Sequence, residues 1–156
     1  MKFPKVFFVA AILVTFANPQ VTKTDVAVSE LQKAHPAVKW NSKAAIVADV
    51  TCDGKPDTTV VLGSEKNTVV VGVVSGEHST KAQLLSFPIR RDTQDGFCTF
   101  PTRIEISPLD CDTEGGALPG CKPIKGCQAF TVIDDECDSF NFYWDSSRKS
   151  VAWWRH

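Results

Sequence analysis

The stretch "ADVTCDGKPDTTVVLG", residues 48–63, holds the side chains best placed for chemistry. Counting from Asp49 as position 1, Thr51 falls at 3, Asp53 at 5, Gly54 at 6, Lys55 at 7 and Asp57 at 9. Calcium takes six to eight oxygen ligands, and a chain coiling around the ion offers it alternate side chains. Asp49, Thr51, Asp53 and Asp57 would supply side-chain oxygens and Lys55 a backbone carbonyl, while Gly54 permits the sharp turn. Cys52 would point away from the ion, free to fix the loop by a disulfide. The same residues also read as a plain turn, since Asp-Gly between two apolar runs is a strong hairpin signal. Asp further accumulates in turns because it bonds its own backbone. Both readings place a strand on each side.

On these residues the loop resembles the metal loop of FG-GAP repeats, the strand-loop-strand units of integrin-type propellers, whose pattern is D-x-[DN]-x-D-G-x-x-D. The resemblance covers residues 48–63 alone and implies a weak structural calcium site formed by Asp49, Thr51, Asp53, Lys55 and Asp57. Thr51 stands where the pattern has Asp or Asn, which removes one charge. Val60 stands where an EF-hand has its glutamate, so a helix-loop-helix form is excluded.

Two further acidic clusters occur. Asp110, Asp112 and Glu114 precede Gly115 and read as a solvated, disulfide-shaped loop or as a second cation site. Asp134, Asp135, Glu136 and Asp138 repel one another unless a cation or basic partner neutralises them, and otherwise read as an exposed turn. Histidine chemistry is thin: His35 precedes Pro36, His78 lies in a turn beside Glu77, and His156 is terminal. Neither H-E-x-x-H nor G-x-S-x-G occurs. A catalytic carboxylate pair is not selected by any motif among the 18 acids, so a secreted carboxylate-dependent hydrolase or carbohydrate-active enzyme is the second functional reading.

Aromatic residues concentrate in "FNFYWDSSRKSVAWWRH". In a hairpin, Phe140, Phe142 and Trp144 share one face, with Asn141 and Tyr143 opposite. Consecutive Trp153 and Trp154 must point to opposite faces, so one of them leaves the main core. Trp153 and Trp154 are therefore the candidate contacts for a sugar, a peptide or a partner protein, against the plainer reading of a large aromatic core.

The elements that must position these residues come next. "MKFPKVFFVAAILVTFA" joins a lysine-bearing start to a short apolar core and small residues at Thr15 and Ala17, which is a secretory signal over residues 1–17. Its apolar run is too short to span a bilayer. Removing it takes away Lys2 and Lys5 and no acid, leaving 139 residues and moving the formal charge from −1 to −3. That surface has no basic field for nucleic acid. Residues 18–156 are expected to form a single domain, monomeric, without a membrane span, in a periplasmic or secreted setting.

Six cysteines, Cys52, Cys98, Cys111, Cys121, Cys127 and Cys137, read as three disulfides, and the absence of C-x-x-C argues against zinc or thioredoxin-like use. Chain order suggests Cys52 with Cys98, and the other four among themselves in a loop-rich lobe over 111–137. One helix is expected over residues 24–34, capped by Thr24 or Asp25 and stopped by Pro36, with Trp40 anchoring near it. From residue 44 the segments "AAIVADV", "TTVVLG", "TVVVGVV", "AQLLSFPIR", "TRIEI", "CQAFTVI", "SFNFYW" and "VAWWR" read as strands between polar turns. The fold class is mostly β (α+β): an antiparallel β-sandwich or curved sheet with one short N-terminal helix, stabilised by disulfides. The function expected of it is an exported binding or structural module, with inhibition of a secreted hydrolase as one form and a protein or carbohydrate as partner.

Overall fold

The computed structural model describes residues 22–56, 58–76, 82–91, 93–101 and 103–155. The signal segment, Asp57, Glu77, His78 and His156 lie outside the described residues. Among the described residues one helix, α1 (Lys23–Ala34), precedes ten strands: β1 (Lys39–Ala48), β2 (Thr58–Glu65), β3 (Thr68–Ser75), β4 (Ala82–Pro88), β5 (Arg103–Pro108), β6 (Asp112–Thr113), β7 (Gly116–Ala117), β8 (Gln128–Ile133), β9 (Phe140–Asp145) and β10 (Ser150–Trp154). Two four-stranded antiparallel sheets, β1-β2-β3-β4 and β10-β9-β8-β5, form a sandwich, and β6-β7 is a small ribbon.

Strand alternation explains the layers. Val60 and Leu62 of β2, Val69, Val71 and Val73 of β3 and Phe87 of β4 face inward onto Phe130 and Val132 of β8 and Phe140 and Phe142 of β9. Phe130 and Phe142 are a register pair whose rings stack at 4.6 Å, and Phe87 meets Phe97, Phe140 and Phe142 at 4.8–5.8 Å. On the opposite face of the first sheet, Val61 and Val74 meet Ala27 and Leu31 of α1. Gly63 and Gly72 make this docking possible. A Cβ on Gly63 would stand 2.7 Å from the Trp40 ring, and one on Gly72 would stand 2.9 Å from it. The two glycines thus form the floor for Trp40 beneath the helix.

The helix starts earlier than its composition suggests. Thr22 is the N-cap, not Thr24 or Asp25: its hydroxyl accepts from the Asp25 N–H at 3.2 Å while the Asp25 carboxylate accepts from the Thr22 N–H at 3.1 Å. Asp25 is therefore the return half of a capping box, and His35, just before Pro36, ends the helix.

The disulfide order also differs from chain order. Cys52 pairs with Cys127, Cys98 with Cys137 and Cys111 with Cys121, so Cys52–Cys98 is not formed and only one bond closes within 111–137. The cause is topological. The β1–β2 loop lies at the end of the sandwich where β8 begins, and the segment after β4 lies where β8 ends, so each cysteine meets the strand end beside it rather than its neighbour in sequence.

Glutamine side chains also join the two sheets. The Gln83 carboxamide of β4 accepts from the Val151 N–H and donates to the Val151 carbonyl of β10, both at 2.7 Å. It thereby replaces a missing ladder partner on the outer edge of β10. Val151 is 3% exposed, so Gln83→Leu orphans a buried donor and acceptor together. The expected loss is about 2–3 kcal/mol, read from the urea midpoint at unchanged slope. Gln128 closes the opposite side: its N–H donates to the Asp49 carbonyl at 2.9 Å, and its side-chain oxygen accepts from the Asp49 N–H at 3.0 Å.

Candidate functional site

The acidic loop is the connection between β1 and β2, closed by the pairing of Ala48 with Thr58. Asp49 is 7% exposed and turns its carboxylate into the loop, where Oδ1 accepts from the Asp53 N–H at 3.1 Å and Oδ2 from the Gly54 N–H at 2.9 Å. Asp53 is exposed and accepts from the Lys55 N–H at 2.9 Å. Cys52 holds a left-handed backbone at φ 62° and carries the bond to Cys127. The loop is therefore built around the Asp49 carboxylate by its own amides, with a covalent tie to β8. Thr51 is half-buried and Lys55 exposed, and among the described residues no three acidic, cysteine or histidine side chains converge as a metal group. Each carboxylate oxygen that takes one amide keeps a second lone pair for another donor or an ion.

A concavity lies on the outer face of the second sheet. There the chain from Leu109 to Cys121 folds back over β8, β9 and β10 and leaves a cavity of about 320 Å³. Thr131 and Asn141 form its floor, joined by a 3.0 Å bond from the Thr131 hydroxyl to Asn141 Oδ1. Asp110, Asp112 and Glu114 line the wall formed by the folded-back chain, and Trp154 lines the side formed by β10. The three acids are exposed, as expected of a solvated loop. The two tryptophans separate as alternation requires. Trp153 pairs in register with Phe142 and packs against Phe140 and Phe87 at 5.2 and 5.5 Å while staying 38% exposed, whereas Trp154 pairs with Asn141 on the cavity face.

The overhanging lobe is held at several points. The Cys111–Cys121 disulfide closes it, the Tyr143 hydroxyl donates to the Pro119 carbonyl at 3.0 Å, and the Ser146 N–H donates to the Gly120 carbonyl at 2.9 Å. Burial, reinforced by the nearby Asp145 charge, raises the Tyr143 hydroxyl above the usual tyrosine range, so it stays a donor. Gly120 has φ +69°, and any Cβ there would collide with the Asp145 carboxylate. Only glycine allows the lobe to approach the β9–β10 turn this closely.

That carboxylate organises the turn. Asp145 Oδ1 accepts from the Ser147 hydroxyl at 2.5 Å, the Ser147 N–H at 2.9 Å and the Arg148 N–H at 3.1 Å. These bonds, the Ser147 hydroxyl foremost, hold its carboxyl below the usual aspartate range. A depressed folded-state value means the stabilisation is complete above the unfolded-state value near pH 4 and is lost as pH falls through the folded one. Urea midpoints measured from pH 5 down to pH 2.5 should therefore fall less steeply for Asp145→Asn than for the native chain. Parallel slopes would remove Asp145 from the acid transition.

In the third acidic run Asp135, Glu136 and Asp138 are exposed as in a turn, and Asp134 alone departs from it. Asp134 is 2% exposed and accepts four backbone N–H groups. Oδ2 takes Cys98 at 2.7 Å and Thr99 at 3.4 Å, and Oδ1 takes Cys137 at 2.9 Å and Glu136 at 3.1 Å. Basic partners neutralise two of the others: Asp135 pairs with Arg103 and Glu136 with Arg91. Asp134 thus joins the two strands of backbone that carry the Cys98–Cys137 bond. The sequence signal for this role was present only as an acid flanked by a cysteine three residues on.

No family model, no curated protein and no solved structure matches this chain.

Proposed function

We propose that the chain is an exported binding module, stabilised by its three disulfides, whose ligand occupies the cavity between the folded-back lobe and the outer face of the second sheet. The observation that carries this reading is the construction of the cavity. Its lobe is closed by a disulfide, seated by Tyr143 and Gly120, and lined by Trp154 and polar side chains. A preformed concavity with an aromatic wall and a few polar groups is the usual form of a ligand site, and preorganisation lowers the cost of binding. Export is supported by the signal pattern in residues 1–17 and by three disulfides, which an oxidising compartment sustains. Inhibition of a secreted hydrolase is one form such a module could take.

The test is amide and indole NMR shift mapping of the folded chain against neutral oligosaccharides and charged peptides. One class should move Trp154, Thr131 and Asn141 while leaving β2 and β3 still; if none does, the reading fails. The runner-up is a secreted carboxylate-dependent hydrolase, favoured by the presence of Asp110, Asp112 and Glu114 in the same cavity. Turnover of a bound glycan, abolished by one carboxylate-to-amide change with the fold intact, would establish it instead.

A weak structural calcium ion in the 49–57 loop belongs to the same proposal, supported by the spacing of Asp49, Asp53 and Asp57 and the lone pairs left on Asp49. With a dissociation constant of about 1 mM, 10 mM calcium adds about 1.4 kcal/mol and raises the melting temperature by about 5 °C. An unchanged melting temperature between calcium and chelator would end the calcium reading.

A further inference from the structure

We infer that the group taken by this cavity is a guanidinium, the side-chain head of an arginine presented by a partner polypeptide. The inference rests on reading the cavity as a ligand site and adds the chemistry of its occupant. Three carboxylates, Asp110, Asp112 and Glu114, line the cavity, and among the described residues no lysine or arginine lines it. Carboxylates of one sign around a concavity focus their field into it, so the cavity gathers cations and repels anions. A neutral sugar satisfies hydrogen bonds there but leaves that charge uncompensated.

The aromatic residue of the cavity narrows the choice among cations. Trp154 lines the same cavity as the acids, and a cation held between carboxylates and a tryptophan face gains from both. Arginine fits this pair better than lysine. Its planar fork bonds carboxylate oxygens in parallel, its flat face stacks on an aromatic ring, and it is less strongly hydrated than an ammonium. The floor adds neutral hydrogen-bonding capacity in Thr131 and Asn141, which already bond each other and bring no opposing charge. The lobe that carries the acids is tied down by the Cys111–Cys121 disulfide and the Tyr143 hydroxyl, so the negative wall is in place before the ligand arrives.

The experiment titrates the full chain with acetyl-Gly-Arg-Gly-amide, followed by NMR at the Trp154 indole and at the Asp112 and Glu114 amides. Acetyl-Gly-citrulline-Gly-amide, which keeps the shape and loses the charge, is the matched control. The arginine peptide should bind at least tenfold more tightly than the citrulline peptide, and its affinity should fall several-fold between 20 and 300 mM salt. Asp112→Asn and Glu114→Gln should each weaken it about fivefold or more with the melting temperature retained. Equal binding of the citrulline peptide overturns the inference. If a neutral oligosaccharide moves the cavity resonances and the arginine peptide does not, the cavity remains a binding site and the guanidinium assignment falls. If no probe moves them, both fall together.

Discussion

Replacing Cys52 and Cys127 together by serine is expected to cost about 4 kcal/mol. The bond spans 75 residues, and a cross-link of that span removes about 4.5 kcal/mol of loop-closure freedom from the unfolded ensemble. The Cys111–Cys121 bond spans 10 residues and should be worth about 2.5–3 kcal/mol by the same reasoning. The larger pair has a second role, because Cys52 keeps a left-handed backbone in the loop that folds around Asp49. Without the tie to β8, that loop rests on the Asp49 bonds to Gln128, Asp53 and Gly54 and on the buried Val50. Urea unfolding of the two double-serine variants checks both statements. The 52/127 variant should lose more than the 111/121 variant by over 1 kcal/mol, and its Asp53 and Gly54 amides should exchange faster. Equal losses would show that loop length does not set the ranking.

Asp134→Asn is the second large effect, expected at about 3–5 kcal/mol. A carboxylate buried at 2% exposure accepts four amides, two on each oxygen. Asparagine keeps one oxygen and turns a donor toward the other pair of amides, leaving two N–H groups facing an NH2. Bonds to a charged acceptor are worth about 1.5–3 kcal/mol each, and a buried orphan adds its own desolvation cost. The control is Asp138→Asn, an exposed acid of the same run, which should change stability by less than about 0.5 kcal/mol. If the two substitutions cost the same, the four-amide account of Asp134 is wrong.

The strands were legible because β-branched residues alternate with small or polar ones between turns rich in Gly, Asp, Asn and Ser, a local property. Alternation also separated Trp153 from Trp154, but which of them faces the core depends on the pairing of Trp153 with Phe142, set by the β9–β10 turn. The role of Asp134 was not legible. Its partners Cys98 and Thr99 lie 36 and 35 residues away, and only its spacing of three from Cys137 sets it apart from Asp135. Asp110, Asp112 and Glu114 read correctly as solvated, yet only the return of the lobe through Gly120 brings them into one cavity with Trp154. The 49–57 loop was legible as a strand-loop-strand unit; the inward turn of Asp49 onto its own amides, and its tie to Gln128, were not.

The interleaved bonds also set the order in which the chain can become oxidised. A chain emerging from its N-terminus exposes Cys52 and Cys98 before Cys127 and Cys137, the partners they need. Until those partners emerge, every bond open to Cys52 and Cys98, with each other or with Cys111 and Cys121, is one the finished sandwich does not contain. Reaching the native pattern from that trap requires a thiolate to attack the premature bond and hand each cysteine on, an exchange that takes seconds to hours without an isomerase. Oxidation of the emerging chain is therefore expected to pass through disulfide exchange, and its yield should track the supply of a thiol or an isomerase.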